Sequence, residues 1–160
     1  MQPNLLENPW KPPLDLIHRL TSARRYKTEP LPASVIETII TAAQCASTSS
    51  NLQTYSVVIA TDAGKRVQLS KMCGNQAHIR DAPVFLAWCA ELATRERVCQ
   101  LRGYTQVTVY AEYFLVAALD VSIAAQNAAL AAESLGLVFA TSAAFATTRP
   151  KSSNCSACLG

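Results

Sequence analysis

The turn Ser22-Ala-Arg24-Arg25 offers one hydroxyl and two guanidinium groups within four residues. A guanidinium presents paired N–H donors to an anion, so this combination is suited to binding a phosphate group. The alternative interpretation is a solvated basic turn that binds no ligand. The residues of the turn by themselves leave both interpretations open.

Two loops contribute further hydroxyl and amide groups, Ser47–Gln53 and Gly74–His78. Such side chains hydrogen-bond to the polar edge of a ligand ring, although the same composition is typical of ordinary loops. His18 and His78 have no partners that the sequence would assemble into a catalytic triad, and no P-loop, Gly-x-Gly-x-x-Gly or His-Glu-x-x-His motif occurs. We therefore expect no catalytic protein residue. If the chain is an enzyme, a cofactor supplies its chemistry.

Six cysteines are present, and only Cys155 and Cys158 have Cys-x-x-Cys spacing. This pair lacks the second pair that a zinc site needs and the strand–turn–helix context of a redox motif. The other four cysteines are scattered singly through apolar or helical stretches. We expect no metal site and interpret the cysteines as structural or incidental.

Length and charge limit the classes of protein. The chain has 160 residues, enough for one domain, and half of them are apolar, which predicts a packed core. Its net charge of +3 is far below the basic footprint of a dedicated nucleic-acid-binding protein. The segment Met1–Pro13 lacks the apolar core of a secretory signal, so we expect a cytoplasmic location.

Helical periodicity surrounds the first two polar segments. Apolar residues recur at helical spacing from Leu14 to Leu20 and again through Ile36–Ala43. Ser34 with Glu37 three residues later predicts a capping box at the start of the second helix.

Two strands are expected further along the chain, at Tyr55–Thr61 and Pro83–Ala90, with a turn at Asp62 and a short helix ending at Cys73 between them. The second strand is apolar throughout, which predicts a central strand buried on both faces. The charged segment at residues 91–105 is expected to be irregular.

A long apolar helix is predicted from Val107 to Leu135, with Gly136 as its C-terminal cap. Its longest uncharged run, Val121–Ala132, is shorter than the roughly 20 residues that cross a bilayer, so we expect no membrane span. We expect a helix buried on all sides that contributes to a subunit interface. Its apolar pattern is interrupted by Glu112, Asp120, Gln126, Asn127 and Glu133.

In combination the motifs form one recognisable order along residues 14–137. They are Ser22-x-Arg24, Ala46–Gln53, Thr61-Asp62, Gly74-Asn-Gln76-x-His78, Ala82–Leu86 and Gln126-Asn127 followed by Ala131-Ala-Glu-Ser-Leu-Gly136-Leu137. This order resembles the nitroreductase family, in particular its NADPH-dependent nitroreductase and flavin reductase branch. The resemblance implies an α+β fold, with helices packed around a small antiparallel or mixed sheet, and a homodimer that binds FMN at its interface.

The resemblance also implies roles for individual residues. Ser22 and Arg24 match the family's Ser-x-Arg pair, which binds the FMN phosphate. Thr48 and Ser49 lie in the small polar loop beside the flavin, and Gln76 matches a glutamine that hydrogen-bonds to the isoalloxazine ring. The family's His-Arg before this pair is replaced by Leu20-Thr21, which predicts weaker FMN binding.

Residues 138–160 depart from the family pattern. In the frame one base earlier, with ordinary synonymous codons, Thr141–Thr148 become Tyr-Ile-Gly-Gly-Ile-Arg-Asn-Asp, and Lys151–Gly160 become Lys-Val-Val-Glu-Leu-Leu-Gly-Leu-Pro-Gly. Both strings fit the family's continuation, which points to loss of one G at the Leu137/Val138 boundary. We therefore expect a flavin-binding domain at residues 1–137 that lacks its C-terminal part. An out-of-frame tail that packs poorly is expected at residues 138–160.

The resemblance implies an FMN-dependent oxidoreductase that transfers a hydride from NADPH or NADH through flavin N5 to a nitroaromatic, a quinone or free flavin. The expected partners are a second copy of the chain and a small-molecule acceptor, with no nucleic acid and no membrane. One alternative is an inactive, truncated remnant of such an enzyme. The other is a small basic binding module unrelated to flavin.

Overall fold

Two antiparallel strands form a small sheet. The computed structural model describes residues 11–105 and 111–142, with side chains from residue 13 onward. Strand β1 (Tyr55–Ala60) pairs with β2 (Phe85–Ala90) in a register that runs from Tyr55 opposite Ala90 to Ala60 opposite Phe85. Both strands confirm the sequence prediction to within a residue or two.

The position predicted for β2 in the sheet is wrong for the described residues. The sheet has two strands, so β2 is an edge strand, and its residues are half-buried or exposed. One face, with Leu86 and Trp88, packs against the helical core. An uninterrupted apolar run shows that both faces tolerate burial, but it does not show how many strands or helices cover them.

Six helices surround this sheet in the described part of the chain. Most of them coincide with predicted helical segments, and a short 3-10 turn at Ser49–Asn51 interrupts the polar loop before β1. The helices are α1 (Lys11–Arg19), α2 (Ala33–Gln44), α3 (Ala63–Met72), α4 (Ala77–Asp81), α5 (Ala93–Leu101) and α6 (Ala111–Ser134).

Helix α5 corrects the prediction that residues 91–105 are irregular. Arg and Glu have good intrinsic helix propensity, so a segment without apolar periodicity still forms a helix. Thr94 donates its hydroxyl hydrogen bond to Glu91 at the start of the helix. The Arg95 guanidinium lies 5.0 Å from the centroid of the Tyr113 ring on α6, which joins the two helices.

The core lies where α2 packs against α6. Ile39, Ala43 and Ala128 are buried together there. The predicted capping box at the start of α2 is wrong, because the cap is Pro32 and no side chain accepts a capping hydrogen bond. Proline presets the backbone angle at this boundary, so the helix begins at Ala33 without Ser34 as its cap.

Within the single chain, helix α6 is buried along one face, and its expected contribution to a subunit interface stays a prediction. Ala117 and Ala124 are fully buried, whereas the opposite face exposes large apolar side chains. Alanines allow α6 to approach its neighbours closely, so the helix is covered on its small-residue face. The large exposed residues are Phe114, Leu115, Leu119 and Ile123.

The end of α6 confirms the predicted glycine cap. Gly136 has φ of +77°, a conformation that glycine adopts without a side-chain clash. Its N–H donates to the Glu133 carbonyl oxygen, and the Leu137 N–H donates to that of Ala132, both at 3.0 Å. These two bonds form a Schellman motif, which satisfies carbonyl groups at the helix end. The predicted start of the helix at Val107 lies outside the described residues.

Among the described helices, α6 alone is long and apolar enough to span a membrane, with a mean hydropathy of 1.6 over its most apolar window. The length of the uncharged run Val121–Ala132 was therefore too strict a criterion for excluding a membrane span. A core helix of a water-soluble protein meets the same criterion, and the alanine face of α6 packs against α2. Length and composition thus provide only weak support for a membrane span.

The first residues of the expected tail do pack against the rest of the chain. Phe139 forms a parallel β-bridge with Ser22, and the Ala23 N–H donates to the Phe139 carbonyl oxygen at 2.9 Å. These contacts are made by backbone atoms, so they need no particular side chain. Residues 143–160, including Cys155 and Cys158, lie outside the described residues.

Candidate functional site

The basic turn after α1 presents its polar side chains to solvent. Ser22 and Arg24 are both exposed, and the backbone between them is tied to Phe139. Within the described ranges, Arg24 forms no ion pair, and its side chain is exposed. The Tyr26 hydroxyl donates to the Ala23 carbonyl oxygen at 2.6 Å and closes the turn from its other side. Burial raises the pKa of this phenol, which keeps it protonated as a donor.

The loop between α2 and β1 has an unusual backbone. Ser50, Asn51 and Gln53 have φ angles between 50° and 53°, in the left-handed region that residues other than glycine rarely adopt. Three such residues in four positions store backbone strain, which persists only where surrounding contacts enforce it. Thr48 is half-buried and Ser49 is exposed immediately before this strained segment.

One side chain on α6 supplies those contacts. Asp120 is 1% exposed and accepts a hydrogen bond from the Ser49 N–H at 2.9 Å through Oδ1. Its Oδ2 accepts from the Thr54 N–H at 3.3 Å and from the Thr54 hydroxyl at 3.1 Å. The carboxylate therefore holds both ends of the strained segment.

The amide loop before α4 is also held by a buried polar residue. Gly74 and Asn75 have positive φ angles of 76° and 57°, which turn the chain sharply before Gln76. Ser70, which is fully buried, donates its hydroxyl hydrogen bond to the Gln76 carbonyl oxygen at 2.8 Å, and its own carbonyl oxygen accepts from the Asn75 N–H at 2.7 Å. Gln76 is half-buried, and its side chain does not cap α4.

The five predicted binding residues thus lie on three separately anchored segments. Within the residues that the structure describes, no hydrogen bond joins the Ser22–Arg24 turn, the Thr48–Ser49 loop and Gln76 to one another. Asp120 and Ser70 are the residues that sequence reasoning missed. An acid inside an apolar helix is a recognisable signal for Asp120, because buried carboxylates need partners. Ser70 carries no comparable signal.

A concave surface lies outside these three segments. A groove of about 500 Å³ separates α1 from α2 and α6, and its lining is mostly apolar. Leu16, Ala42 and Leu130 contribute to it, and Cys45 and Asn127 lie among them. None of the five predicted binding residues lines this groove. The described residues contain no cluster of three metal-binding side chains.

The donor set of the three segments matches the chemistry of a flavin mononucleotide. A guanidinium with an adjacent hydroxyl suits a phosphate dianion. Thr48, Ser49 and Gln76 supply hydroxyl and amide groups that suit a ring bearing carbonyl oxygens and an N–H. Arg24 and Ser49 are exposed, so these groups are accessible to a ligand.

Comparison with known protein families identifies the chain. The model described as "Nitroreductase family" matches residues 17–152. This match covers most of the sequence, and the chain belongs to the nitroreductase family. The α+β architecture expected from the resemblance is confirmed by the described sheet and helices.

Two curated relatives match this chain over segments of nearly equal length. The chain is 36% identical over 124 residues to "FMN reductase (NADPH)" of Bacillus subtilis strain 168, which covers 76% of this chain and 49% of the relative. It is 39% identical over 122 residues to "NADPH-flavin oxidoreductase" of Vibrio harveyi, which covers 76% of this chain and 48% of the relative. The chain therefore spans about half the length of these relatives.

Solved structures agree with this fold. The NfrA1 nitroreductase of Bacillus subtilis superposes with a TM-score of 0.75 at 33% identity, covering 78% of this chain and 51% of that structure. Nitroreductase A of Vibrio parahaemolyticus superposes with a TM-score of 0.77 at 34% identity, covering 83% and 55%. The described helices and sheet thus correspond to one half of the nitroreductase fold.

Proposed function

We propose that the chain is the amino-terminal half of an FMN-dependent oxidoreductase that uses NADPH or NADH. When bound, FMN would accept a hydride from the nicotinamide and pass reducing equivalents to a nitroaromatic, a quinone or free flavin. The observation that carries the proposal is the match of residues 17–152 to the nitroreductase family. Relatives named as NADPH-dependent flavin reductases support the choice of cofactor and reductant.

The chain's own residues bind and orient the cofactor under this proposal. Arg24 and Ser22 hold the phosphate, the hydroxyls of Thr48 and Ser49 contact the flavin, and the Gln76 amide hydrogen-bonds to the ring. The exposure of the turn and the hydrogen bonds that hold the two loops support these roles. No protein side chain supplies a nucleophile or a proton-transfer group.

The apolar face of α6 supports a homodimer. Phe114, Leu115 and Leu119 are between 58% and 65% exposed, and burying them against a second copy would remove a large apolar area from water. We propose a homodimer with a small-molecule electron acceptor in the cytoplasm, and no nucleic-acid or membrane partner.

The second candidate is an inactive remnant of such an enzyme, and the sequence after Leu137 favours it. We propose that residues 1–137 form the family domain and that residues 138–160 are an out-of-frame tail. The string obtained one base earlier fits the family's continuation. Under this proposal the contacts that normally follow Leu137 are missing, so the chain binds FMN weakly at best and turns over little or no NADPH.

Flavin binding tests the proposal directly. The purified 160-residue chain is titrated with FMN, and binding is followed by quenching of flavin fluorescence and by its visible absorbance. Weak saturable binding with little NADPH oxidation is expected. No binding by either this chain or a chain with the frame restored after Leu137 would refute the flavin proposal. Binding accompanied by turnover typical of the relatives would refute the remnant.

A further inference from the structure

Asp120 lies at a buried position, where a charged group loses the free energy of its hydration. It lies in the middle of the apolar helix α6, one turn from the fully buried Ala117 and Ala124 on the same face. A carboxylate is tolerated in such surroundings when hydrogen bonds replace its lost water. All three donors come from a segment 66 to 71 residues earlier in the chain. All three hydrogen bonds that the carboxylate accepts therefore come from the loop before β1.

That loop needs an external partner. The Leu52 N–H donates to the Ser49 carbonyl oxygen at 3.0 Å, and the Tyr55 N–H donates to the Gln53 carbonyl oxygen at 2.8 Å. These local bonds leave the N–H groups of Ser49 and Thr54 without partners inside the loop, and Asp120 accepts from both. The two anchored N–H groups flank the three left-handed residues, so the carboxylate fixes the endpoints of the strained backbone.

We propose that Asp120 is a positioning residue for the flavin site. It holds the backbone from Ser49 to Thr54 in its strained shape, and thereby presents the Thr48 and Ser49 hydroxyls to the cofactor. This proposal rests on the proposed function only for its second step, the effect on flavin. The first step, control of the loop, is a property of the chain without any ligand.

The chemistry of the three contacts distinguishes aspartate from asparagine. All three partners are donors, and a carboxylate offers acceptors on both oxygens. In Asp120→Asn, the amide NH₂ would face at least one N–H or O–H donor, so at least one hydrogen bond is lost and two donors oppose each other. The variant changes few atoms and leaves the shape of the α6 surface almost unchanged.

The test measures amide hydrogen exchange on the 160-residue chain without flavin. In Asp120→Asn we expect the protection factor of the Ser49 amide, the Thr54 amide or both to fall by about 10-fold or more, the size expected for a hydrogen bond to a charged group. Exchange within the α2–α6 core should change much less. The matched control is Asp62→Asn, because Asp62 also accepts a backbone N–H, from Lys65 at 2.8 Å, but caps the exposed start of α3.

Two gentler variants guard against general unfolding. Thr54→Val removes the hydroxyl donor and keeps the side-chain shape, and Thr54→Ser keeps the hydroxyl. We expect Thr54→Val to lower the protection of the Ser49 amide and Thr54→Ser to restore it. Unchanged protection of Ser49 and Thr54 in Asp120→Asn would overturn the proposal, as would equal losses in Asp62→Asn.

The flavin step has its own readout. The dissociation constants of FMN and riboflavin are measured for the 160-residue chain and for the frame-restored chain, each with and without Asp120→Asn. Because the loop is proposed to contact the flavin and not the phosphate, affinity for both ligands should fall by the same factor, several-fold or more. If the loop amides lose protection and the flavin affinity stays unchanged, the positioning role is overturned. If the unsubstituted chains bind neither flavin, the proposed function fails and the exchange data still decide the loop step.

Discussion

The Thr48–Ser49 loop and the Ser22–Arg24 turn, which are proposed to contact the same cofactor, are held in different ways. The loop is anchored by a carboxylate that is 1% exposed in the middle of α6. The turn is exposed and is anchored by a backbone bridge to Phe139 and by one phenol hydrogen bond. The loop therefore depends on residues that precede Leu137, and the turn depends partly on the segment that follows it.

This difference separates two parts of the proposed flavin site. Asp120 and Ser70, which both precede Leu137, hold the loops that carry Thr48, Ser49 and Gln76. The turn proposed to bind the phosphate adjoins the proposed out-of-frame tail. Of the two segments, the turn is therefore the one in direct contact with the proposed out-of-frame tail.

The largest expected effect comes from restoring the frame. Insertion of one G at the Leu137 codon boundary should open a longer frame that encodes the Gly-Gly string, and the product should be a yellow dimer. It should oxidise NADPH with a nitroaromatic or quinone acceptor, whereas the 160-residue chain should do so poorly or not at all. The control is insertion of a whole glycine codon at the same place. Equal turnover by both products, or a stop codon directly after the restored Pro-Gly, would contradict the frameshift.

A charge on the buried face of α6 should unfold the core that holds the Thr48–Ser49 loop. Ala124 is fully buried, and Ala124→Asp would place an unpaired carboxylate in the core. Such a group costs several kcal/mol, a large fraction of the roughly 5–15 kcal/mol by which a domain is stable. Circular dichroism melts should show loss of the cooperative transition. Ser122→Asp, on an exposed position of the same helix, should melt nearly as the unsubstituted chain does.

The exposed turn should respond to loss of one guanidinium without unfolding. In the frame-restored protein, Arg24→Ala should weaken FMN binding by about 10-fold or more, because a charge-assisted phosphate contact is removed. Riboflavin, which has no phosphate, should bind equally to both proteins. Arg25→Ala is the matched control, since Arg25 is exposed next to Arg24. An unchanged FMN dissociation constant in Arg24→Ala would remove Arg24 from the site.

The smallest effect is expected at Tyr26. Burial raises the pKa of its phenol, so its contribution to stability is complete below the ordinary value of about 10 and is lost as the pH rises through the folded-state pKa. The melting temperature of the chain should exceed that of Tyr26→Phe near neutral pH, and the gap should shrink above pH about 10. Equal melting temperatures near neutral pH would show that the hydroxyl does not stabilise the turn, and a gap that does not shrink above pH about 10 would contradict the raised pKa of the phenol.

The sequence predicted the elements better than it predicted their surroundings. Periodicity and the Gly136 cap located α2 and the end of α6, because both signals are local. The edge position of β2 and the exposed face of α6 depend on which elements cover them, which no local pattern records. Helix α5 was missed since its residues favour a helix without any apolar stripe.

The candidate site also has parts that local sequence predicts and parts that only tertiary packing determines. Residue types and the resemblance proposed Ser22, Arg24, Thr48, Ser49 and Gln76, and the structure places them on three anchored segments. The contact between Asp120 and the loop joins positions 66 to 71 residues apart, so it depends on how α6 packs beside β1. Periodicity identifies Asp120 as an interruption of an apolar helix, but the packing alone reveals its partners.

Native-state hydrogen exchange of the 160-residue chain tests the contrast between the two segments most directly. The experiment compares the opening free energies of three amides, those of Ser49 and Thr54, which donate to Asp120, and that of Ala23, which donates to Phe139. We predict that the protection factors of the first two amides are at least about 10-fold greater than that of Ala23, because a buried charged acceptor holds them. Equal protection at all three amides, or greater protection at Ala23, would contradict it.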